Sequence, residues 1–248
     1  MKIIGSDYDG TLNHGGIDEN KKNAIKKWRK AGNVFSVISG RCIQELLELY
    51  EKNDFSCDYL IAANGAVILK PDGEIVSEIR CNADLAKPLL EKLFESGCDF
   101  GHVQSDVHFH VHSGKEPAKE DDTYTLENMP RIKYFNQIST MLETAEEAER
   151  VTAIVAENFG EFLNPLQNGR CIDIVRKDIN KAKGLYLLMD IYGAKPEDII
   201  AVGDNINDLD MIKEFRSYAM ANGVDAVKKE ADYITEGITE LIEKELCL

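Results

Sequence analysis

Short apolar segments that end abruptly in acidic or small polar residues recur near both ends of this chain of 248 residues. In the N-terminal part, predicted strands at 2–7, 33–38 and 58–62 alternate with predicted helices at 18–31 and 43–50. Apolar strands separated by helices usually pair in parallel and are covered by helices on both faces. The pattern therefore predicts an α/β fold built around a parallel sheet.

The pattern changes near residue 80 and returns at residue 181. The elements predicted between these points are a helix at 83–96, an antiparallel hairpin of strands 99–105 and 107–112, a polar loop at 113–123, a strand at 132–137, an acidic helix at 142–159 and strands at 161–166 and 170–176. A helix at 181–192 and strands at 198–202 and 218–221 then restore the first pattern. We therefore expect a discontinuous α/β core, residues 1–81 and 178–248, with an α+β domain inserted at 82–177.

The charge balance restricts the kinds of partner that the chain can bind. It carries 29 Lys and Arg against 44 Asp and Glu, a net charge of −15, whereas nucleic acids and anionic membranes require clustered basic residues. The longest apolar stretch, residues 59–69, is too short to cross a bilayer. We expect no nucleic-acid or membrane partner, a monomer or weak homodimer, and a cytoplasmic location because no long apolar segment precedes the first acidic residue.

Four short motifs stand near the carboxyl ends of the predicted core strands, where parallel α/β sheets bind ligands. The first, Asp7-Tyr-Asp9-Gly-Thr11, has two carboxylates two positions apart. One could attack an electrophile while the other carries a proton. An ordinary acidic turn is the alternative, since Asp-Gly alone favours a turn.

The second and third motifs could hold an anion. Ser39 and Gly40 combine a hydroxyl, a close backbone approach and a helix N-terminus, although an ordinary helix cap would have the same sequence. Lys181 begins the helix at which the core resumes, where a solvated lysine is the alternative. Lys183 lies about 200° further round that helix, so the two lysines cannot serve one site equally.

The fourth motif, Gly203-Asp204-Asn-Ile-Asn207-Asp208, follows the most apolar of the late strands. It adds two carboxylates and an amide to those of Asp7 and Asp9. Ligand sets made only of oxygen suit Mg²⁺. Carboxylates that converge without a cation would repel each other and raise their pKa values, so the sequence predicts a magnesium site formed by Asp7, Asp9, Asp204 and Asp208.

The order of these motifs resembles that of the haloacid dehalogenase superfamily, specifically its Cof-like sugar-phosphatase branch. Asp7–Thr11 is similar to motif one, Ser39 to motif two, Lys181 to motif three and Gly203–Asp208 to motif four. The resemblance implies a Rossmannoid parallel-sheet core with an inserted cap. It also implies a magnesium-dependent phosphatase of small phosphorylated metabolites, above all sugar phosphates.

Three further features of the sequence accompany this resemblance. Asn64-Gly-Ala66 and Met220-Ala-Asn-Gly223 are similar to stretches common in that branch. The large insert between Ser39 and Lys181 implies a type-two cap. Tyr8 stands where Leu is more usual, a change that leaves both carboxylates of the first motif in place.

The resemblance also implies a role for each motif residue. Asp7 would attack phosphorus to form an aspartyl-phosphate, and Asp9 would protonate the leaving alcohol and then deprotonate the attacking water. The implied metal ligands are the Asp7 carboxylate, the Asp9 carbonyl and Asp204, with Asp208 nearby or acting through water. The implied phosphate ligands are Ser39, Gly40, Lys181 and the amide of Asn207.

Four histidines fall in the predicted hairpin. On a strand, His108, His110 and His112 share one face, opposite Val107, Phe109 and Val111. We expect helices to cover the apolar face. In related type-two caps the open face covers the active site, so these histidines could contact the leaving group; a solvated face and an adventitious metal site are the alternatives. His102, on the paired strand, is less informative.

Two other functions stay open at this point. A phosphomutase of similar fold would return the phosphoryl group to the sugar, and release of inorganic phosphate would distinguish the two enzymes. A response-regulator receiver also places acidic residues, a hydroxyl and a lysine around a phosphorylated Asp. Against a receiver, the nucleophile candidate ends the first strand, and a large insert separates Ser39 from Lys181.

Overall fold

Two β-sheets organise residues 1–114 and 123–247, the part of the chain that the computed structural model describes. The strands are β1 (Ile3–Asp7), β2 (Val34–Ile38), β3 (Tyr59–Ala62), β4 (Val67–Leu69), β5 (Ile75–Glu78), β6 (Cys81–Asn82), β7 (Phe100–Ser105), β8 (His108–His112), β9 (Thr123–Tyr124), β10 (Tyr134–Met141), β11 (Leu163–Asn168), β12 (Cys171–Arg176), β13 (Ile199–Gly203), β14 (Arg216–Met220) and β15 (Tyr233–Thr235). The helices are α1 (Glu19–Lys30), α2 (Ile43–Asn53), α3 (Ala86–Glu95), α4 (Ala145–Phe159), α5 (Lys181–Tyr192), α6 (Leu209–Glu214), α7 (Asp225–Glu230) and α8 (Ile238–Leu246). The chain divides into a core unit, Met1–Ser77 with Asn180–Leu248, and an inserted unit, Glu78–Ile179.

The sheet of the core unit has the strand order β15-β14-β13-β1-β2-β3-β4-β5. From β15 to β3 every pairing is parallel, and β1, β2 and β13 are buried along their whole length. Burial on both faces explains why these strands appear in the sequence as continuous apolar runs. The predicted parallel-sheet α/β fold is therefore confirmed.

An antiparallel hairpin at the end of this sheet was not predicted. The turn Ala63–Gly65 contains Asn64 with φ 52° and Gly65 with φ 107°, and it reverses the chain so that β4 pairs antiparallel with β3. A Cβ on Gly65 would lie 2.4 Å from the carbonyl oxygen of Asn180. The turn therefore depends on glycine and packs against the start of α5.

The sheet of the inserted unit has the strand order β11-β12-β10-β7-β8-β9, with β6 on β10. β7 and β8 form the predicted antiparallel hairpin. One face of the sheet is apolar and packs against helices α3 and α4. The buried cluster there includes Leu89, Leu93, Val103, Phe109, Val151 and Ile174.

Some element boundaries in this unit differ from those predicted. Strand β10 runs from Tyr134 to Met141 rather than over 132–137. Helix α4 begins at Ala145 rather than at 142, because Thr144 and Glu147 form a reciprocal capping box. The predicted loop at 113–123 falls mainly on residues 115–122, which lie outside the described residues.

The predicted alternation of apolar and histidine side chains between the two faces of the hairpin is confirmed within β8 but not beyond it. Phe109 and Val111 are buried, whereas the three histidines of the strand are partly exposed. Val107, expected on the apolar face, is 48% exposed. It precedes β8 in the turn from β7 and therefore does not follow the strand alternation. Among the described residues, no helix is both long and apolar enough to span a bilayer.

Candidate active site

The turn after β1 carries the first motif. Asp7 ends β1 and is buried, whereas Asp9 is exposed. Between Asp9 and Thr11, Gly10 adopts a φ of 84°, and a Cβ there would lie 2.4 Å from Oδ2 of Asp204. Glycine at this position therefore permits both the turn and the close approach of the turn to that carboxylate.

Three carboxylates and one ammonium group converge at this edge of the sheet. Asp7, Asp204 and Asp208 each offer an oxygen, and these oxygens all lie within 4.8 Å of one another. The Nζ of Lys181 donates to Oδ1 of Asp7 over 2.6 Å and to Oδ1 of Asp208 over 2.5 Å. Lys181 is only 1% exposed, so its ammonium group is committed to this cluster.

The topology explains why these side chains meet. β13 lies beside β1 in parallel, so Asp7 and Asp204 leave the same sheet edge. Lys181 is the first residue of α5, after the cap residue Asn180, whose side chain accepts from the backbone N–H of Lys183. This register points Lys181 into the carboxylate cluster and leaves the Lys183 side chain partly exposed.

Burial removes the charged groups of the cluster from water and thereby affects their pKa values. Burial raises the pKa of Asp7 well above its ordinary value, and the carboxylates of Asp208 and Asp204 raise it further, against the lowering effect of Lys181. Burial also raises the pKa of Asp204, although the bond from Thr11 opposes it. Burial acts to lower the pKa of Lys181, but Asp208 and Asp7 outweigh it, so the pKa is raised and the ammonium stays charged.

Asp208 has both carboxylate oxygens engaged. Oδ1 accepts from Lys181, and Oδ2 accepts from the backbone N–H groups of Asp204 and Asn205 over 2.9 and 3.0 Å. A Cβ on Gly203 would lie 2.5 Å from Cγ of Asp208. The Asp208 side chain thus folds back on its own loop and holds Asp204 in place.

Asp9 occupies a different environment from the other acidic residues. Its carboxylate accepts two bonds from Arg41, Nε to Oδ2 over 2.7 Å and Nη2 to Oδ1 over 3.0 Å. Both side chains are partly exposed, 46% for Asp9 and 38% for Arg41. Of the four carboxylates expected to converge, Asp7, Asp204 and Asp208 do so, and that of Asp9 pairs with Arg41 instead.

Apart from Lys181, the predicted phosphate ligands lie in turns that follow core strands. Ser39 comes directly after β2, in which Ile38 is in register with Asp7. Its side chain is buried, and Oγ accepts from the N–H of Arg41 over 3.2 Å. Gly40 and Asn207 are partly exposed, Asn207 in the turn Ile206–Asp208 that follows β13.

Several residues that support the site were not predicted. Thr11 donates from Oγ1 to Oδ1 of Asp204 over 2.7 Å, and Ser6 donates from Oγ to the carbonyl of Asp7 over 2.8 Å. Asn222 donates from Nδ2 to the carbonyl of Gly10 over 3.0 Å. Thr11 and Asn222 belong to sequence motifs quoted above. Membership in those motifs is the sequence signal that could have identified them as supporting residues.

Tyr8 lies beneath the turn. It is 1% exposed, and its hydroxyl accepts a bond from Nδ2 of Asn53, the last residue of α2, over 3.0 Å. The side chain therefore fills an apolar position and has a partner for its one polar atom. This pairing accounts for a tyrosine between the two acidic residues.

The chain is similar to known proteins over almost its whole length. A family model described as haloacid dehalogenase-like hydrolase matches residues 4–240. The 5-amino-6-(5-phospho-D-ribitylamino)uracil phosphatase YitU of Bacillus subtilis is 28% identical over an alignment that covers 94% of this chain and 91% of the relative. A solved haloacid dehalogenase-like hydrolase from B. subtilis matches with a TM-score of 0.83 at 20% identity, over 98% of this chain and 99% of the other. A solved HAD subclass IIB sugar phosphatase matches over 100% of both chains, with a TM-score of 0.80 at 20% identity.

The family match extends through both segments of the core unit and through the inserted unit. It confirms the resemblance that the four motifs carry. The B. subtilis relative, whose alignment covers 94% of this chain, is named as a phosphatase. The chain therefore belongs to the haloacid dehalogenase-like hydrolases, in their Cof-like branch, and is a phosphoric monoester hydrolase.

Proposed function

We propose that this protein is a magnesium-dependent phosphatase that hydrolyses small phosphorylated metabolites, above all sugar phosphates, through an aspartyl-phosphate. The observation that carries the proposal is the cluster of buried Asp7, Lys181 and Asp208 with partly exposed Asp204 at one edge of the core sheet. A carboxylate nucleophile, a fixed cation beside it and further carboxylates for a metal are the parts that phosphoryl transfer requires.

The donor set fits Mg²⁺. It consists of carboxylate oxygens without nitrogen or sulfur, as hard cations prefer. Asp7, Asp204 and the carbonyl of Asp9 would hold the ion. Asp208, whose oxygens already accept bonds from Lys181 and two amides, would act mainly by orienting that loop. When bound, the ion would offset the repulsion between an anionic nucleophile and an anionic phosphate.

The chemistry divides between Asp7 and Asp9. An oxygen of Asp7 attacks phosphorus, the bond from phosphorus to the ester oxygen breaks, and Asp9 gives its proton to the departing alcohol. Asp9 then takes a proton from water, which attacks the aspartyl-phosphate and releases inorganic phosphate with Asp7 restored. The exposure of Asp9 suits a group that meets both alcohol and water, and Arg41 would position it between the steps.

Lys181 and the strand-end loops would receive the phosphoryl oxygens. Lys181 is fixed by two carboxylates, so little reorganisation accompanies binding of an anion. The hydroxyl of Ser39, the backbone at Gly40 and the amide of Asn207 complete the proposed phosphate ligands. We also propose that the inserted unit acts as a type-two cap that selects the leaving group, and that the enzyme works in the cytoplasm as a monomer or weak homodimer.

The test is a screen for release of inorganic phosphate from sugar phosphates, nucleotides, phosphoglycolate and 5-amino-6-(5-phospho-D-ribitylamino)uracil. We expect turnover with Mg²⁺, no turnover after chelation, and recovery when Mg²⁺ is restored. The Asp190→Asn variant, which changes an exposed acid of α5, serves as the control for Asp7→Asn. Transfer of phosphate between positions of one sugar without release of inorganic phosphate would contradict the proposal and identify a phosphomutase.

A further inference from the structure

Three of the four histidines in the inserted unit form one cluster on the sheet. Nε2 of His102 on β7 lies 2.6 Å from Nε2 of His108 on β8. The ring of His110 stacks on that of His102, with centroids 4.3 Å apart and planes at 6°. Antiparallel register sets His102 opposite His110 and Gln104 opposite His108, so all four side chains share one face.

Gln104 gives a second and independent observation at this place. Gln104 is 4% exposed, yet neither Nε2 nor Oε1 of its side chain has a hydrogen-bond partner within residues 1–114 and 123–247. A buried amide without partners is costly. Because Gln104 is the direct cross-strand neighbour of His108, the unsatisfied amide borders the histidine pair and indicates a missing ligand there.

His102 is in the protonation state that binds metals. Burial, with smaller contributions from His108 and His110, lowers the pKa of His102 to about 3. His102 is therefore neutral at neutral pH, and neutral imidazole is the form that coordinates metal ions. In the observed pair one Nε2 donates and the other accepts. The donating ring can move its proton to Nδ1, which frees both Nε2 atoms without net loss of a proton.

We propose that His102 and His108, with Gln104 beside them, form a binding site for a late divalent transition metal such as Cu²⁺, Ni²⁺ or Zn²⁺. Imidazole nitrogens lie about 2.0–2.1 Å from such metals, so two of them at a right angle are about 2.8–3.0 Å apart, as in the tetragonal geometry of Cu²⁺ or Ni²⁺. The observed 2.6 Å is a few tenths of an ångström shorter, so a small rotation of either ring would admit the ion.

The same chemistry separates this site from the carboxylate cluster of the core unit. Two imidazole nitrogens and an amide oxygen are poor ligands for Mg²⁺ and good ones for metals of the later first row. The stacked ring of His110 packs against His102 and fixes its orientation. Binding would join β7 to β8 and would not require phosphatase activity.

The experiment uses the full chain in excess Mg²⁺, so that the carboxylate cluster is occupied, and titrates it with Cu²⁺. We expect one tight equivalent whose electron paramagnetic resonance spectrum shows coupling to two imidazole nitrogens. His108→Gln should weaken this binding by at least about tenfold. His14→Gln, at an exposed position of the core unit, and His112→Gln, whose Nδ1 accepts from the N–H of Gly114, should leave it unchanged.

Three outcomes would overturn the proposal: a spectrum with oxygen ligands only, equal affinity in His108→Gln and the parent, or binding only at millimolar Cu²⁺. Circular dichroism establishes that each variant is folded. Should His102→Gln fail to fold, the partly exposed His108 still decides the outcome. If His108→Gln loses Cu²⁺ binding but releases phosphate at the parent rate, the metal site is supported. This test of the metal site does not depend on whether the proposed phosphatase function is correct.

Discussion

Nζ of Lys181 donates to Oδ1 of Asp7 over 2.6 Å, although the two residues are 174 positions apart in the chain. The same ammonium group donates to Asp208, so one buried cation joins the turn after β1 to the turn after β13. This bond fixes the carboxylate that we propose as the nucleophile. It also holds a positive charge where a phosphate would arrive.

Replacing the proposed nucleophile should abolish turnover without unfolding the protein. Asn is nearly the same size as Asp and keeps an oxygen that can accept from Lys181, but its amide cannot attack phosphorus. We expect Asp7→Asn to lower kcat by about 10⁴-fold or more, measured with p-nitrophenyl phosphate, with an unchanged circular dichroism spectrum. Hydrolysis at the parent rate would remove Asp7 from the role of nucleophile.

The two lysines at the start of α5 should differ sharply. Lys181 is buried between two carboxylates, whereas Lys183 is partly exposed. Lys181→Ala should reduce kcat/KM by about 10²–10³-fold, as expected for loss of a fixed electrostatic partner. Lys183→Ala should stay within about twofold of the parent. Comparable losses in the two variants, both folded, would count against Lys181 as the phosphate ligand.

Gly10 should tolerate a methyl group less well than Gly16. Both glycines have similar positive φ values, 84° and 88°, but only at Gly10 does a Cβ meet another residue, Oδ2 of Asp204 at 2.4 Å. Ala at either position should cost about 1–2 kcal/mol of conformational energy. Gly10→Ala should in addition displace Asp204 and weaken activation by Mg²⁺, measured as the Mg²⁺ concentration that gives half-maximal rate. Equal Mg²⁺ requirements in the two variants would contradict this close approach.

The inserted unit should lose stability in mild acid because of His102. Its folded pKa of about 3 lies below the ordinary value of 6.5, so between these values the unfolded chain binds the proton more readily. The free energy of unfolding should therefore fall as the pH drops from 6.5 towards 3, by at most about 1.4 kcal/mol per pH unit. Urea unfolding at pH 7 and pH 5 measures this change. A folded His102→Gln variant should lose less, and an equal loss would show that other groups cause the decline.

The meeting of Asp7, Asp204, Asp208 and Lys181 follows from information in the sequence. Apolar runs predict parallel strands, parallel strands place their carboxyl ends on one edge, and the helix register distinguishes Lys181 from Lys183. What the motifs could not predict is the direction of a side chain on the surface. The bond between Asp9 and Arg41 depends on two rotamers and on where α2 begins, which local sequence does not determine.

The register between paired strands was the second feature that could not be predicted from the sequence. His102 was the least informative of the four hairpin histidines, yet antiparallel pairing brings it to His108 and His110. The pattern of alternation identifies which side chains share a face within one strand but not which residue of the next strand stands opposite. The β3–β4 hairpin was missed because residues 59–69 look like one apolar stretch, although Asn64-Gly65 favours the positive φ values of a hairpin turn.

The strand order of the core sheet has a consequence for synthesis of the protein. β1 lies between β2 and β13, and β13 leaves the ribosome only after the whole inserted unit has been made. The inserted unit has its own buried apolar cluster and can close around it at that stage, whereas the first strands of the core must wait with one edge of β1 unpaired. Asp7, at the end of that strand, meets Lys181 and Asp208 only once residues 181–208 have emerged, so the charged site assembles late and from segments on both sides of the inserted unit.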